Sequence, residues 1–265
     1  MQRKMENSEK LEQKKVLVTG ASSGIGAGIA KKFACNNAFV YVHFHHNEPG
    51  ARATLSKVKE AGSDGIVIQA DLTDTEGIDH LLRQIGQVDI LVNNAGVVPK
   101  GPILTTAVET WDTAMALNTR APYFLSRGIA ERMIQAGTGG SILNICSIHA
   151  ALSVENFSVY AVSKTALEAL TRIQALEWAE HGIRVNAISP GVVPVERSRE
   201  YLEADRDKWL PHIPLQRYGR VQDIADLAVF LAGSASSWTT GQVFTCDGGM
   251  SVRADFPRRS PVDFR

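Results

Sequence analysis

No run of apolar residues in this 265-residue chain approaches the roughly 20 needed to cross a bilayer as a helix, so no membrane partner is expected. The first stretch, M-Q-R-K-M-E-N-S-E-K-L-E-Q-K-K, lacks the apolar segment of an export signal. Cysteine is scarce. Cys35, Cys146 and Cys246 are odd in number, lie far apart and show no C-x-x-C or Cys/His spacing, which argues against a disulfide scaffold and a metal site. Buried thiols in a cytoplasmic protein are the expectation. Net charge is also lacking, because 28 Lys+Arg balance 28 Asp+Glu; no global field recruits nucleic acid or anionic lipid. No repeat or low-complexity segment is present, and the length suits one domain with one core.

What the chain does have is alternation. Residues 1–14 read as a mobile leader, 15–250 as the folded domain and 251–265 as a tail. Short apolar strands, beginning with V-L-V-T (Val16–Thr19) and F-V-Y-V-H-F (Phe39–Phe44), alternate with helical runs such as Ile25–Cys35, Val108–Ala136 and Phe157–Ala179. Such strands imply a parallel sheet covered on both faces. Right-handed crossovers then make it doubly wound, an α/β Rossmann-like sheet of about seven strands. One irregular stretch, Pro190–Pro214, breaks the alternation, and a substrate lid is expected near 192–214.

Two groups of residues carry chemistry. Gly20, Gly24 and Gly26 fall in T-G-A-S-S-G-I-G between the first strand and the first helix, where missing Cβ atoms let backbone N–H groups approach a pyrophosphate. Tyr160 and Lys164 are one helical turn apart in Y-A-V-S-K, with Ser147 thirteen residues upstream and Asn118 further back. A free phenol holds its proton too tightly to act as a base at neutral pH, and a neighbouring ammonium favours the ionised form.

Taken in order, T-G-A-S-S-G-I-G, N-N-A-G (Asn93–Gly96), Asn118, Ser147, Tyr160/Lys164 and Pro190–Gly191 resemble the short-chain dehydrogenases/reductases, with the similarity running from about Lys15 to Met250. The resemblance implies an enzyme that moves a hydride between a nicotinamide cofactor and an alcohol or carbonyl. It makes Tyr160 the acid/base, Lys164 its electrostatic partner and ribose anchor, Ser147 the hydroxyl that stabilises the reacting oxygen, and Asn118 the holder of a relay water. Cofactor contacts are implied for Gly20, Ser22, Ser23, Gly24, Ile25 and Gly26; for Asp71 and Leu72 after the third strand; for Asn93, Asn94, Ala95 and Gly96; and for Pro190, Gly191 and Val193. At the end of the second strand Phe44 replaces the Asp of NAD-selective members, while His45 and His46 are placed to surround a 2′-phosphate, so NADP is favoured with NAD as the alternative.

For the substrate, C-S-I-H-A resembles the equivalent segment of bacterial glucose dehydrogenases, putting His149 beside Ser147 and Tyr160 to bond a sugar or polyol hydroxyl; a packed histidine is the competing reading. An oxoacyl-thioester reductase is the alternative activity, weakened because Leu176, Glu177 and Glu180 stand where an acidic carrier would need a cation. A catalytically silent dinucleotide-binding protein is the reading from another class. Val195 replaces a Thr that commonly meets the nicotinamide carboxamide, leaving that contact to backbone or to Ser198. Glu196 and Arg197 either face substrate or pair with each other. The family implies a homotetramer, with Ile129, Met133, Leu167 and Leu170 serving core or interface alike and Arg253, Arg258 and Arg259 in a basic tail.

Overall fold

The computed structural model describes residues 11–253. Seven strands, β1 (Lys15–Val18), β2 (Phe39–Phe44), β3 (Gly65–Gln69), β4 (Ile90–Asn93), β5 (Gly140–Ile145), β6 (Ile183–Pro190) and β7 (Val243–Cys246), pair in the order β3-β2-β1-β4-β5-β6-β7. Every pairing is parallel. The helices are α1 (Gly24–Ala34), α2 (Glu48–Glu60), α3 (Thr75–Gln84), α4 (Val108–Met115), α5 (Ala121–Ala136), α6 (Ser158–Trp178), α7 (Arg199–Ala204), α8 (Arg206–Trp209) and α9 (Val221–Ala232).

Strand residues alternate between two cores. Val16, Val18, Val40, Val42, Ile90 and Val92 pack with Ile29 and Phe33 of α1 and Ile224 and Leu231 of α9. Leu17, Tyr41, Leu91 and Ile142 point the other way, onto Ile78 and Leu81 of α3 and Leu125, Ile129 and Met133 of α5. With apolar side chains on both faces, a strand has no polar alternation to show, which is why β1 and β4 read as continuous apolar runs. Because chain order reverses between β1 and β4, the loops after these two strands diverge and open a crevice at the carboxyl edge.

Several expectations need correction. Of the leader expected over residues 1–14, residues 1–10 lie outside the described residues, but Leu11 is buried in the first core and Lys14 pairs with Asp89 at 3.0 Å, so the packed chain reaches back to Leu11. The tail beyond Arg253, with Arg258 and Arg259, also lies outside them. The long helix expected over Val108–Ala136 is interrupted by a π turn at Ala116–Arg120. The irregular stretch before Pro214 contains α7 and α8, whose Leu202 joins Ile213 and Tyr218 in a small separate cluster. Ile129, Met133, Leu167 and Leu170 are core residues, all buried within one chain.

Candidate active site

The glycine turn after β1 is held from three sides. Asn94 Nδ2 donates to the carbonyls of Thr19 (2.9 Å) and Gly20 (3.1 Å), and Thr19 Oγ accepts from the N–H groups of Asn94 (2.9 Å) and Ala95 (3.0 Å). His43, buried inside β2, accepts from the Gly20 N–H at 3.1 Å through Nδ1, which places its proton on Nε2, 3.1 Å from the Ala70 carbonyl. Gly20 and Gly24 have φ of +63° and +56°, the left-handed region where glycine is favoured. At Gly26 a Cβ would overlap Asn94 Nδ2 and come within 2.5 Å of the Gly20 carbonyl, so the turn tolerates no side chain there. α1 begins at Gly24 with no acidic residue in its first turn, and the Gly24 N–H already receives an anion: Glu196 Oε2 accepts from it at 3.1 Å. A cradle that binds a carboxylate through a helix N-terminus fits a cofactor phosphate.

The π turn presents Asn118, whose fully buried side chain accepts from the Val97 N–H (2.9 Å) and donates to the Val97 carbonyl (2.9 Å) and Ser163 Oγ (3.0 Å). Ser163 Oγ in turn donates to the Tyr160 carbonyl at 2.8 Å, so Asn118 pins the start of α6 to the loop after β4. Its amide is thus committed to protein partners, and a relay water would have to rest on other atoms of this turn. Lys164 is 4% exposed, donates to the Ile145 carbonyl at 2.7 Å and places Nζ 5.9 Å from the Tyr160 ring centroid. Gly96 leaves room for this pair: a Cβ there would lie 2.9 Å from Asn118 Oδ1 and 3.6 Å from Lys164 Nζ. Ser147, at the end of β5, accepts from the His149 N–H at 3.2 Å, which leaves the Ser147 hydroxyl proton to be donated.

Beside the Tyr160 ring stand two more rings, His149 at 6.1 Å and Phe157 at 6.4 Å, and His149 lies over Phe157 at 4.9 Å with planes 30° apart. Burial pushes the His149 pKa down and the charge of Lys100 pushes the same way, against a backbone contact with Leu152. Its buried Nδ1 has no hydrogen-bond partner. Lys100 Nζ sits between the Phe157 ring (5.2 Å) and the Tyr201 ring of α7 (5.4 Å), linking the start of α6 to α7. Tyr201 lies in the irregular stretch that the sequence marks out, but no spacing joins it to Lys100 and Phe157.

At the adenosine end, Phe44 is buried, so no carboxylate closes the end of β2. His45 and His46 stack at 3.4 Å, and His45 Nε2 lies 3.4 Å from Asp71 Oδ2. Burial works against the Asp71 charge, but its carboxylate accepts from both the Thr73 backbone N–H and the Thr73 hydroxyl, and these bonds with the nearby histidines hold its pKa below the usual value. Some expected contacts do not survive as side-chain contacts. Asn93 points into the sheet, 3% exposed, and Leu72 is in the core, so each can meet a ligand only through its backbone. Ser22 places its carbonyl against Gly50, Ser23 makes no side-chain cap for α1, and Ile25 and Val193 pack against the first core. Pro190–Gly191 is gripped by β7: the Gly191 N–H donates to the Cys246 carbonyl at 3.1 Å, and a Cβ on Gly191 would come within 2.7 Å of the Asp247 backbone. Ser198 Oγ is 3.1 Å from the Val195 N–H, which it accepts, so it braces its own turn. Glu196 pairs with the glycine turn, not with Arg197.

The family model described as enoyl-(acyl carrier protein) reductase matches residues 20–251. The chain belongs to the short-chain dehydrogenase/reductase family. Among its relatives, the 2-dehydro-3-deoxy-D-gluconate 5-dehydrogenase of Dickeya dadantii is 35% identical, the match covering 93% of this chain and 99% of that one. A 3beta-hydroxysteroid dehydrogenase of Eggerthella lenta is 33% identical over 93% of this chain and 97% of that protein. A solved structure from Agrobacterium tumefaciens with bound NADP, provisionally described as a 2-deoxy-D-gluconate 3-dehydrogenase, superposes with a TM-score of 0.86 at 32% identity, covering 92% of this chain and 98% of that one. This short-chain dehydrogenase/reductase therefore carries the fold expected from its glycine turn and its Tyr–Lys pair. Among the described residues no helix is long and apolar enough to cross a membrane, and no cluster of His, Cys, Asp or Glu is arranged to hold a metal.

Proposed function

We propose that the protein oxidises a secondary alcohol of a small polyhydroxylated substrate, a sugar, sugar acid or polyol, or reduces the corresponding ketone, with NADP favoured over NAD. The observation that carries the substrate class is the pocket wall. The Ser147 and Tyr160 hydroxyls stand beside the ring of His149, whose buried Nδ1 has no partner in the protein, and the Lys100 cation lies against the Phe157 ring. Such a wall rewards a ligand with many hydroxyls and leaves buried polar groups unpaired against an apolar one. The names of the Dickeya and Agrobacterium relatives support the same class.

When bound, the nicotinamide accepts or supplies the hydride. The remaining work belongs to the chain. In the oxidative direction Tyr160 Oη takes the hydroxyl proton of the substrate as the carbinol hydrogen leaves as hydride. Ser147 donates its free proton to the same oxygen and holds it in place. Lys164, fixed by the Ile145 carbonyl, sets its ammonium beside the Tyr160 ring, where a cation favours the phenolate. Asn118 and Ser163 position Tyr160 through its backbone. Phe44, in place of a carboxylate, removes a repulsion against a 2′-phosphate, and the stacked His45 and His46 supply ring N–H donors there.

The reading includes a cytoplasmic homotetramer, supported by exposed apolar side chains on α4, α5 and α6: Trp111 (41%), Tyr123 (48%), Ile173 (54%) and Leu176 (83%). The test is a panel of aldoses, aldonates, alditols, a 3-hydroxysteroid and a 3-oxoacyl thioester, followed at 340 nm with each nicotinamide cofactor. Turnover of polyhydroxylated compounds is expected. Turnover confined to the steroid or the thioester would overturn the substrate class.

A further inference from the structure

We infer that Glu196 is a built-in competitor for the cofactor's phosphate cradle, so that dinucleotide entry requires the base of the lid to swing away from α1. The inference rests on the proposed dinucleotide role of the glycine turn, and three observations lead to it.

The first is what the carboxylate touches. Glu196 Oε2 accepts from the Gly24 N–H at 3.1 Å across 172 residues of chain. Gly24 is the first residue of an 11-residue helix that has no acidic residue in its first turn, so Glu196 is the anion seated at this helix terminus. A phosphate drawn to the same N–H would meet a like charge within contact distance, and the two cannot share the donor.

The second is that the contact is reinforced by packing. A Cβ built on Gly24 would lie 3.2 Å from Val195 Cγ1. Val195 therefore rests on the glycine turn while its neighbour caps it. Valine offers no hydroxyl to a cofactor at this position, so the pair closes the cradle without contributing a donor of its own.

The third is the route by which the contact moves the lid. The Val195 carbonyl accepts from the N–H groups of Ser198 (2.8 Å) and Arg199 (2.9 Å), the latter the first residue of α7. Ser198 Oγ accepts from the Val195 N–H as well. Residues 195–199 are thus one braced turn, and displacing Glu196 shifts the start of α7. On the same helix Tyr201 packs over Lys100 at the substrate pocket. Filling the cradle and moving the lid are consequently one event.

The test is a fluorescence titration of NADPH, at one ionic strength, against wild type, Glu196→Gln and Glu196→Asp, together with melting of each protein without dinucleotide. Losing an anion from a helix N-terminus and from beside a bound phosphate predicts about fivefold to tenfold tighter binding for Glu196→Gln. Aspartate is one methylene too short to reach Gly24, so Glu196→Asp is expected to follow Glu196→Gln. Both variants should melt slightly below wild type without ligand and gain more than wild type when NADPH is added. A purely structural role for Glu196 would lower both measurements together. NADPH affinity of Glu196→Gln within twofold of wild type, or weaker, overturns the competitor. So does an Asp variant that matches wild type while the Gln variant tightens, because the effect would then be diffuse charge and not the seated contact. Wild-type protein that binds neither NADPH nor NADH overturns the dinucleotide reading itself, and the competitor with it.

Discussion

Acidification should loosen this protein through one buried imidazole, His43. Its ring lies inside β2, 2% exposed, between the Gly20 N–H and the Ala70 carbonyl. Both partners fit the neutral ring alone: Nδ1 accepts and Nε2 donates. A proton on Nδ1 would face the Gly20 N–H donor to donor. Burial, opposed only in part by the Ala70 contact, pushes the pKa down from 6.5 to about 4. The sign follows from linkage. Between these values the unfolded chain binds a proton that the folded chain refuses, so stability is complete above pH 6.5, falls as pH drops through the window and levels off below about 4. The whole shift corresponds to about 3 kcal/mol, of which about 2 kcal/mol is lost by about pH 5.

Urea unfolding at fixed protein concentration, near pH 7.5 and near pH 5, measures the loss, and His43→Leu supplies the reference. The variant should be less stable by about 1–3 kcal/mol at the higher pH, because the Gly20 N–H loses its acceptor. It should also lose about 2 kcal/mol less than wild type on acidification, since other titrating groups cancel in the difference. Equal pH dependence in the two proteins would refute the assignment of a neutral, doubly bonded His43.

Tyr160→Phe should lower kcat by about 10²–10⁴-fold while NADPH affinity, read by fluorescence titration, stays near wild type. Gly26→Ala should weaken NADPH binding by tenfold or more in about the same assay, because the added Cβ meets Asn94 Nδ2 and the Gly20 carbonyl. Arg184 donates to the carbonyls of Leu231, Ala232, Gly233 and Thr239 and to Ser236 Oγ, so Arg184→Met should cost about 2–4 kcal/mol in urea unfolding. Asn144→Leu and Thr171→Val each orphan the other's hydrogen bond at 2.9 Å, so the double variant should be destabilised by about 1 kcal/mol or more less than the sum of the singles.

Much of this was legible in the chain because strands buried on both faces and a strand–glycine–helix turn leave local patterns. Tyr160, Lys164 and Ser147 stand out only together with the glycine turn and Asn118, as an ordered set that resembles the family; the Tyr–Lys spacing by itself is common. What escaped did so for identifiable reasons. α7 and α8 span only six and four residues, too few for a helical period to show through their charges. The π turn at Asn118 widens one turn without disturbing the apolar rhythm on either side. The Glu196–Gly24 contact joins segments 172 residues apart in the chain, and no local signal announces it. His43 leaves a trace, a polar residue amid F-V-Y-V-H-F, but nothing local points to its partners Gly20 and Ala70.

The clamp around His43 has a counterpart deeper in the sheet, and together they explain how a parallel sheet holds a precise site. Asn93 Nδ2 lies 2.9 Å from Ser126 Oγ of α5 and 2.8 Å from Asn144 Oδ1 of β5; Asn144 Nδ2 donates to Thr171 Oγ of α6 at 2.9 Å, and Thr171 Oγ to the Leu167 carbonyl at 2.8 Å. Burial of apolar surface is non-directional and roughly proportional to area, so it fixes the height of a helix less sharply than a directed bond does. A buried amide fixes it sharply, because a missed partner costs about 1–3 kcal/mol. Thr171 and Lys164 are seven residues, two turns, apart on the sheet-facing side of α6. The bond that fixes Thr171 to β5 therefore fixes the height at which Lys164 meets the Ile145 carbonyl. Asn118 and Ser163 do the same from the loop side. The polar residues inside this core act as register pins: they place the Tyr160 ring by the helix beneath it.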